Sequence, residues 1–287
     1  MKLLIIGGNG MAGHLFVRYF QQAAGTDGME VVNTTRTGDA AGRSLKLDAT
    51  DASAVAALVR QVKPDVILNA VGVLNQDAES HPLTAYQVNG LLPHWLRHVA
   101  DSIGARVIHV SSDCVFSGMR GKYTEDDVPD GTSVYAKSKA LGEHRGDGGV
   151  GGGGGHLTIR TSIIGPEIRQ GGIGLLKWFL EQQGTVSGYA RVYWNGVTTL
   201  ELAKAAAYAM SHPEIGGLVN LTAAETVSKL ELLRLFQDAF KLDGVSIVSD
   251  DRIILDRTLV STRSDWGYQS QGYVPMLAEL AAWMKQG

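Results

Sequence analysis

The chain has 287 residues, and its 26 lysines and arginines against 29 aspartates and glutamates give a formal net charge of −3, so neither nucleic acid nor an anionic membrane surface is an expected partner. Hydrophobic residues at 44% and charged residues at 19% exclude an intrinsically disordered chain and leave one large α/β domain, or a core domain with a smaller lobe. The single cysteine, Cys114, excludes an internal disulfide and argues against a zinc–thiolate site.

Apolar runs alternate with helical stretches through the first half of the chain. Strands are predicted at Leu3–Ile6, Glu30–Thr35, Val66–Asn69, Arg106–Val110 and Leu157–Thr161. Helices are predicted at Met11–Gln22, Ala54–Val62, Leu91–Ser102 and Ser133–Arg145. Strands that are separated by helices and lack clean polar alternation indicate a parallel sheet covered on both faces. We therefore expect an α/β fold with a Rossmann-like, doubly wound parallel sheet, in which ligands bind beyond the carboxyl ends of the strands.

The second half of the chain predicts shorter elements. Helical stretches are expected at Ile173–Gln183, Thr199–Ser211, Lys229–Phe240 and Tyr273–Lys285. We expect residues 1–165 to form the Rossmann core and residues 166–287 to form mainly a smaller C-terminal substrate lobe, with some segments returning to the core. The glycine-rich run at residues 146–155 is interpreted as a flexible surface connector, with a mobile flap as the alternative.

The N-terminal residues bear on where the protein resides. The apolar run at residues 1–6 meets Gly7 and is too short for a signal peptide. No stretch is apolar enough over a sufficient length to cross a bilayer. With an internal disulfide excluded as well, we expect a soluble protein in the reducing environment of the cytoplasm.

A glycine loop follows the first predicted strand. Gly7, Gly10 and Gly13 have the spacing G-x-x-G-x-x-G. Gly7 permits a tight turn, Gly10 lets backbone amides approach a pyrophosphate, and Gly13 allows the helix to pack closely on the strand. Met11 and Ala12 begin the helix, whose unpaired N–H groups and dipole favour an anion. Such a triplet also occurs in turns that bind no ligand, but its position between strand and helix favours a dinucleotide.

The end of the second predicted strand indicates which dinucleotide binds. An acidic side chain there would hydrogen-bond the ribose hydroxyls of NAD, but residues 33–37 contain no carboxylate. Arg36 can pair with a 2′-phosphate and Thr35 can donate to it, so we expect NADP(H) as the cofactor. The alternative for Arg36 is a solvated loop cation. Asp48 is placed either to meet the adenine amino group or to cap a turn.

Three residues have the chemistry needed to reduce a ketone. Tyr135 and Lys139 lie four residues apart on one helix face, and Ser112 ends the preceding strand. A phenol can donate a proton to the carbonyl oxygen, a neighbouring ammonium lowers the pKa of that phenol, and a serine hydroxyl can hold the oxygen beside it. We predict that these three residues are catalytic. No metal site is expected, because the eight histidines lack metal-ligand spacing.

These segments together resemble the extended short-chain dehydrogenase/reductases and, more narrowly, the dTDP-4-dehydrorhamnose reductase group of nucleotide-sugar reductases. The resemblance is clearest over residues 1–165. Besides the glycine loop, Tyr135 and Lys139, it rests on Asn69-Ala70-Val71-Gly72, Asp77-Ala78-Glu79-Ser80, Val88-Asn89, Ser111-Ser112-Asp113-Cys114-Val115-Phe116, Lys139-Ala140-Leu141-Gly142-Glu143 and Ile159-Arg160-Thr161-Ser162.

The resemblance implies an activity and a cofactor site. It implies that the protein reduces the 4-keto group of a deoxysugar nucleotide with NADPH, in dTDP-rhamnose or related polysaccharide biosynthesis, as a monomer or homodimer. Tyr135 and Lys139 would also contact the cofactor, and Ala70, Val71 and Gly72 would line it.

The resemblance also implies where the nucleotide-sugar substrate binds. The substrate would lie between the core and the C-terminal lobe, against Ser112, Asp113, Cys114 and Ile163. Arg257 is the candidate for its phosphates. In that family Asn89 steadies the site; here it is equally interpreted as a buried asparagine that caps a helix.

The sequence departs from the family pattern at three positions near the sugar. Cys114 replaces a usual tyrosine, Ile163 a usual tryptophan and Gln76 a usual aspartate. The loss of two aromatic walls bears on which sugar is bound and leaves the reaction class unchanged.

Two other classes of function remain open. A nucleotide-sugar dehydratase normally has an Asp-Glu pair, of which only Asp113 is present before Cys114; an epimerase retains NAD, against which Arg36 argues. A non-catalytic NADP-binding regulatory protein is the other alternative. Proteins with that role often lose the tyrosine or the lysine, and both Tyr135 and Lys139 remain.

Overall fold

The computed structural model describes residues 1–39, 42–145, 155–169 and 171–286, and of residues 24–27 only the backbone. Its strands are β1 (Lys2–Ile6), β2 (Glu30–Thr35), β3 (Leu45–Lys46), β4 (Val66–Asn69), β5 (Arg106–Ser112), β6 (Leu157–Thr161), β7 (Ile163–Ile164), β8 (Gly184–Trp194), β9 (Val197–Thr198), β10 (Gly217–Asn220), β11 (Val227–Ser228) and β12 (Val245–Asp256). Residues 146–154, which are most of the glycine-rich run interpreted as a flexible connector, lie outside the described residues.

The helices alternate with these strands. They are α1 (Met11–Asp27), α2 (Ala52–Val62), α3 (Asn75–Ser80), α4 (Pro82–Ala85), α5 (Leu92–Ile103), α6 (Val134–Leu141), α7 (Leu175–Leu180), α8 (Thr199–Ser211), α9 (Lys229–Phe240) and α10 (Tyr273–Lys285). A π-helical turn at Tyr86–Leu91 leads into α5, and a 3-10 turn at Asp113–Val115 follows β5. None of the helices in the described ranges is long and apolar enough to span a membrane.

A seven-stranded parallel sheet forms the centre, in the order β10-β6-β5-β4-β1-β2-β3. The chain winds outward from β1 to β3, then returns to β4 on the other side and continues to β6. The predicted α/β, doubly wound sheet is therefore confirmed. The change of direction opens a crevice at the carboxyl ends of β1 and β4, where such sheets bind ligands.

Both faces of the sheet are buried. Leu3 and Ile5 of β1 belong to one hydrophobic cluster, with Phe16 of α1, whereas Leu4 and Ile6 belong to the other, on the opposite face. This division follows from the alternation of side chains along a strand. The strand is thus apolar at every position because both of its faces pack against helices.

The C-terminal part of the chain differs from its prediction. A smaller sheet has the order β11-β8-β12, and β8 and β12 are 11 and 12 residues long, so the expectation of short elements was wrong there. In β8 buried residues such as Val186 and Val192 alternate with exposed ones, because only one face of this strand is covered. The sequence of β8 therefore lacks the continuous apolar run that would predict a strand. The strand β10 joins the central sheet beside β6.

The helix α6 ends earlier than predicted, at Leu141 and not at Arg145. A Cβ at Gly142 would collide with the carbonyl oxygen of Asn89, so the chain passes too close to the π-helical turn for a larger residue. The next residue, Glu143, turns inward and pairs with Arg160; both side chains are fully buried. This ion pair follows from a tertiary contact and is not visible in the helical pattern.

Candidate active site

The glycine loop joins β1 to α1 and has the geometry of an anion cradle. Gly7 has a φ of 92°, and a Cβ there would lie 3.0 Å from the backbone of Val71. A Cβ at Gly13 would collide with the carbonyl oxygen of Gly7. Gly10 is the N-cap of α1 and no side chain caps the helix, so the amides of residues 11–13 have no intrahelical acceptor. These amides are available to a phosphate.

A pocket opens beside this loop, at the carboxyl ends of β1, β2 and β4. It brings together six of the residues predicted to hold the cofactor: Gly7, Thr35, Arg36, Asp48, Val71 and Gly72. Ala70, just before Val71, is held in place by a hydrogen bond from its N–H to the carbonyl oxygen of Ile6. The pocket thus links the glycine loop to the end of β2.

Arg36 is the free cation of this pocket. It is exposed, and no hydrogen bond or ion pair to another described residue holds its guanidinium. The nearby Asp48 accepts from Thr50 N at 2.9 Å and Thr50 Oγ1 at 2.7 Å, so it does cap a turn. These bonds and the positive charge of Arg36 lower the pKa of Asp48. Thr35 Oγ1 accepts from Gly38 N at 3.0 Å.

Ser112 and Tyr135 meet at the carboxyl end of β5. Ser112 Oγ accepts from Cys114 N at 3.1 Å and donates to Asp113 Oδ1 at 3.2 Å. Tyr135, in the first turn of α6, shares a hydrogen bond with Ser112. Ser133 caps α6 by accepting from Ala136 N at 3.0 Å, and this cap sets the position of the tyrosine.

The pKa of Tyr135 shifts in the direction opposite to the prediction. Burial raises the pKa of the phenol, and negative charge on Cys114 or Asp113 acts in the same direction. The hydrogen bond between Tyr135 and Ser112 opposes this shift without reversing it. The expectation that Lys139 lowers this pKa was therefore wrong for the ligand-free protein, because desolvation of the phenolate outweighs every favourable interaction.

Lys139 lies one helical turn beyond Tyr135 and is buried. Its Nζ donates to the carbonyl oxygen of Val110 at 2.7 Å and lies 3.5 Å from His109 Nε2. Burial lowers the pKa of this amine to about 8, against an opposing effect of Glu143. A lysine with a pKa near neutrality can change its charge during a reaction.

Asn89 connects the two halves of this site. From the π-helical turn its side chain accepts from Val73 N at 2.9 Å, donates to Val73 O at 2.9 Å and donates to Ser138 Oγ at 3.0 Å. It therefore ties the loop after β4 to the helix that carries Tyr135 and Lys139.

On the other side of Ser112 two cations face one carboxylate. Arg257 Nε donates to Phe116 O at 3.0 Å, and its Nη1 lies 3.7 Å from Cys114 Sγ. Burial raises the pKa of Asp113, while Arg257 and Lys229 act to lower it. Burial also raises the pKa of the Cys114 thiol to about 12.

Lys229 is a residue that the sequence reasoning did not identify. Its Nζ lies 4.6 Å from the centroid of the Trp194 ring, and burial lowers its pKa to about 8 against the opposing charges of Asp113 and Cys114. It is the first residue of α9 and lies between Ser228 and Glu231, which form a capping box. That S-x-x-E pattern is readable in the sequence and locates Lys229 on the helix, but not beside Asp113.

The last predicted substrate contact is Ile163. Ile163 begins β7, pairs in register with Val197 and packs half-buried against the core. In the described ranges no group of three histidine, cysteine or acidic side chains is arranged to hold a metal ion. A separate cavity of about 460 Å³ lies between residues 221–226 and 258–270 and contains none of the predicted site residues.

Comparison with known proteins places this geometry among its relatives. A family model described as the RmlD substrate binding domain matches residues 1–249. The methionine adenosyltransferase 2 subunit beta of Xenopus tropicalis is 26% identical over 236 residues, which are 78% of this chain and 67% of that protein. The dTDP-4-dehydrorhamnose reductase of Aggregatibacter actinomycetemcomitans is 39% identical over 100 residues, 34% of either chain. The chain spans less than half the length of several other curated relatives that it matches.

Solved structures are similar over the whole chain. The dTDP-4-dehydrorhamnose reductase of Bacillus anthracis str. Ames, solved in complex with NADP, has a TM-score of 0.79 and 16% identity, with 100% of this chain and 99% of that chain covered. At this level of identity the likeness establishes the fold.

Proposed function

Because this chain belongs to the RmlD substrate-binding-domain family of extended short-chain dehydrogenase/reductases, we propose that it reduces the 4-keto group of a deoxysugar nucleotide with NADPH. The observation that carries the proposal is the convergence of Ser112, Tyr135 and Lys139 at the carboxyl end of β5. The named reductase relatives support the same reaction class.

The residues that line the crevice at the carboxyl ends of β1 and β4 fit NADPH. The unpaired amides of residues 11–13 suit its pyrophosphate, and the pocket beside them suits the adenosine half. The guanidinium of Arg36, which has no hydrogen bond or ion pair among the described residues, stands just after β2, where residues 33–37 contain no carboxylate, and it can pair with a 2′-phosphate. We propose that Ala70, Val71 and Gly72 line the cofactor and that Lys139 holds its ribose.

The reduction divides between the cofactor and the side chains of this chain. When bound, NADPH supplies the hydride that reaches the carbonyl carbon of the sugar. The Tyr135 hydroxyl donates its proton to the carbonyl oxygen, and its raised pKa keeps it protonated at neutral pH, the form that a reductase requires. Ser112 hydrogen-bonds the same oxygen, and Lys139 stabilises the phenolate as negative charge forms.

The substrate is proposed to lie on the Asp113 side of Ser112. Arg257 and Lys229 both act on Asp113, so two cations act on this one carboxylate. Such a balance favours an anionic substrate, as a nucleotide diphosphate is. We propose that Asp113, Cys114 and Ile163 contact the sugar, that the enzyme is cytoplasmic, and that it acts as a monomer or homodimer.

The proposal is tested by following the loss of NADPH absorbance with a panel of 4-keto-deoxysugar nucleotides. Tyr135→Phe should lower the rate by about 10²- to 10⁴-fold, the usual contribution of a positioned proton donor. Tyr189→Phe removes an exposed hydroxyl from β8 and serves as the matched control, with an unchanged rate expected. An unaltered rate in Tyr135→Phe would show that this phenol is not the proton donor.

A second candidate is a regulatory NADP-binding protein. It is favoured by the relative named as a methionine adenosyltransferase 2 subunit beta, which aligns with 78% of this chain. The contacts of Tyr135 and Lys139 favour the reductase instead. Calorimetry that detects NADPH binding, together with no turnover of any keto-sugar nucleotide, would support the regulator. Dehydration is disfavoured because a thiol with a pKa of about 12 does not serve as a base at neutral pH.

A further inference from the structure

A buried histidine, His109, contacts Lys139, the lysine proposed to be catalytic. His109 lies on β5, is fully buried and pairs in register with Asn69 of β4. Its ring touches Asn69 on one side and Lys139 on the other. Nothing in the cofactor cradle or in the proton donation by Tyr135 requires an imidazole here.

The contact with Asn69 determines where the imidazole carries its proton. Asn69 Oδ1 accepts from Val71 N at 3.4 Å, which turns the amide nitrogen of Asn69 towards the ring. Asn69 Nδ2 lies 3.1 Å from His109 Nδ1 and has only hydrogens to offer. His109 Nδ1 is therefore the acceptor, and in a neutral imidazole the single proton then resides on Nε2.

The Nε2–H group of His109 points at Lys139. The two nitrogens are 3.5 Å apart. An ammonium has three donors and no lone pair, so it cannot accept from Nε2–H, whereas a neutral amine can. Lys139 Nζ keeps one hydrogen on the carbonyl oxygen of Val110 in either state. The arrangement thus favours the neutral amine.

The other titratable groups near His109 and Lys139 do not account for the contact between these two residues. Lys139, His144 and His94 are the charged or titratable groups that act on His109, and all three lower its pKa further after burial has lowered it. His109 is therefore neutral across the range in which Lys139 titrates. Glu143, which also acts on Lys139, is occupied by hydrogen bonds from Arg160 and Ser111.

We propose that His109 is a positioning residue for Lys139: its Nε2–H group donates to the lysine amine, holds Nζ against β5 and favours the neutral amine over the ammonium. The inference rests on the proposed function, because it gives Lys139 its role. The consequence is that Lys139 loses its proton more readily than an ordinary lysine, with a pKa of about 8, while its ammonium form is the one that stabilises the Tyr135 phenolate.

Nuclear magnetic resonance of the ligand-free protein tests this contact directly. With ¹⁵N-labelled histidine, the His109 signal, identified by its loss in His109→Phe, should report a neutral ring protonated at Nε2 between about pH 5 and pH 9. With ¹³C-labelled lysine, His109→Phe should raise the pKa of Lys139 by roughly 0.5 to 1 unit, because a donor to the neutral amine is lost.

A second variant tests the same contact without removing the ring. Asn69→Asp offers only acceptors to Nδ1 and should move the proton of His109 from Nε2 to Nδ1. The matched control is His156→Gln, which removes a buried imidazole bound to Val107 N and Asp101 and should leave the Lys139 pKa unchanged. Circular dichroism melts show which variants are folded.

Two results would overturn the inference. One is a wild-type His109 protonated at Nδ1; the other is a fall of the Lys139 pKa in His109→Phe, since an imidazole that accepts from the ammonium would stabilise the charged form. Both readouts are made without NADPH or substrate. If the histidine signals are as expected and no keto-sugar is reduced, the contact stands and the proposed reductase activity fails.

Discussion

Lys139 Nζ donates to the carbonyl oxygen of Val110 across 2.7 Å, and this bond ties α6 to β5 two residues before Ser112. Tyr135 lies one turn earlier on the same helix, at the level of Ser112. The four-residue spacing of tyrosine and lysine thus corresponds to the two-residue advance along the strand. The proposed catalytic groups are held by rigid elements on both sides, which is what accurate positioning of a reacting carbonyl requires.

Lys139→Met should abolish most of the proposed activity. The variant removes the group proposed to stabilise the phenolate and to hold the ribose, so we expect kcat to fall by about 10²-fold or more and the Kd for NADPH to rise. Stopped-flow absorbance and fluorescence titration measure the two effects. Lys137→Met, an exposed lysine on the same helix, should change neither. Equal kinetics of the two variants would remove Lys139 from the mechanism.

Arg36→Ala should discriminate between the two nicotinamide cofactors. A charge-assisted bond to a 2′-phosphate is lost, so the Kd for NADPH should rise by roughly 10- to 100-fold while the Kd for NADH stays the same. Isothermal titration calorimetry measures both constants. Arg43→Ala is the control, because Arg43 is an exposed cation of the same loop that is paired with Asp39. The same loss for both cofactors would mean that Arg36 does not contact the phosphate.

Lys229→Met should affect the sugar nucleotide and spare the cofactor. The half-buried ammonium faces Asp113 and Cys114, which follow Ser112 in the chain. We expect the KM for the keto-sugar nucleotide to rise by about tenfold, with the Kd for NADPH unchanged. Arg234→Met, an exposed cation on the same helix α9, is the control. An unchanged KM in Lys229→Met contradicts a substrate-facing role.

The buried histidines should make the fold sensitive to acid. Burial lowers the pKa of His144 to about 4 and that of His109 well below its ordinary value, and His144 Nδ1 has no hydrogen-bond partner among the described residues. Unfolded histidines bind protons near pH 6.5 and these folded ones do not, so stability is complete above pH 6.5 and falls as the pH drops towards about 4.

Urea unfolding across that range measures the effect. His144→Gln should lose less stability between about pH 7 and pH 4.5 than the wild type does, because one of the groups that binds a proton on unfolding is absent. His98→Gln removes an exposed histidine of α5 and should follow the wild type. If the free energy of unfolding of His144→Gln falls as steeply with pH as that of the wild type, the acid sensitivity comes from other groups.

Local pattern was sufficient where the decisive contacts are local. The strands β2, β4 and β6 and the helices α8, α9 and α10 begin and end at the predicted residues. The glycine loop lies between strand and helix as its spacing indicates, since a turn, an N-cap and a close helix–strand approach involve neighbours in sequence. A tyrosine and a lysine four residues apart, with a serine at the end of the preceding strand, likewise predicted Ser112, Tyr135 and Lys139 as the catalytic set.

The sequence by itself therefore determined the doubly wound sheet, the glycine cradle and the Tyr–Lys spacing, because short-range periodicity and backbone requirements specify them. Only the tertiary structure decided that Lys229 faces Asp113 from 116 residues away, that His109 stands between Asn69 and Lys139, and that the pKa of Tyr135 is raised. Those properties depend on the burial of ionisable side chains and on contacts between segments that are distant in sequence. Both arise only when the chain folds.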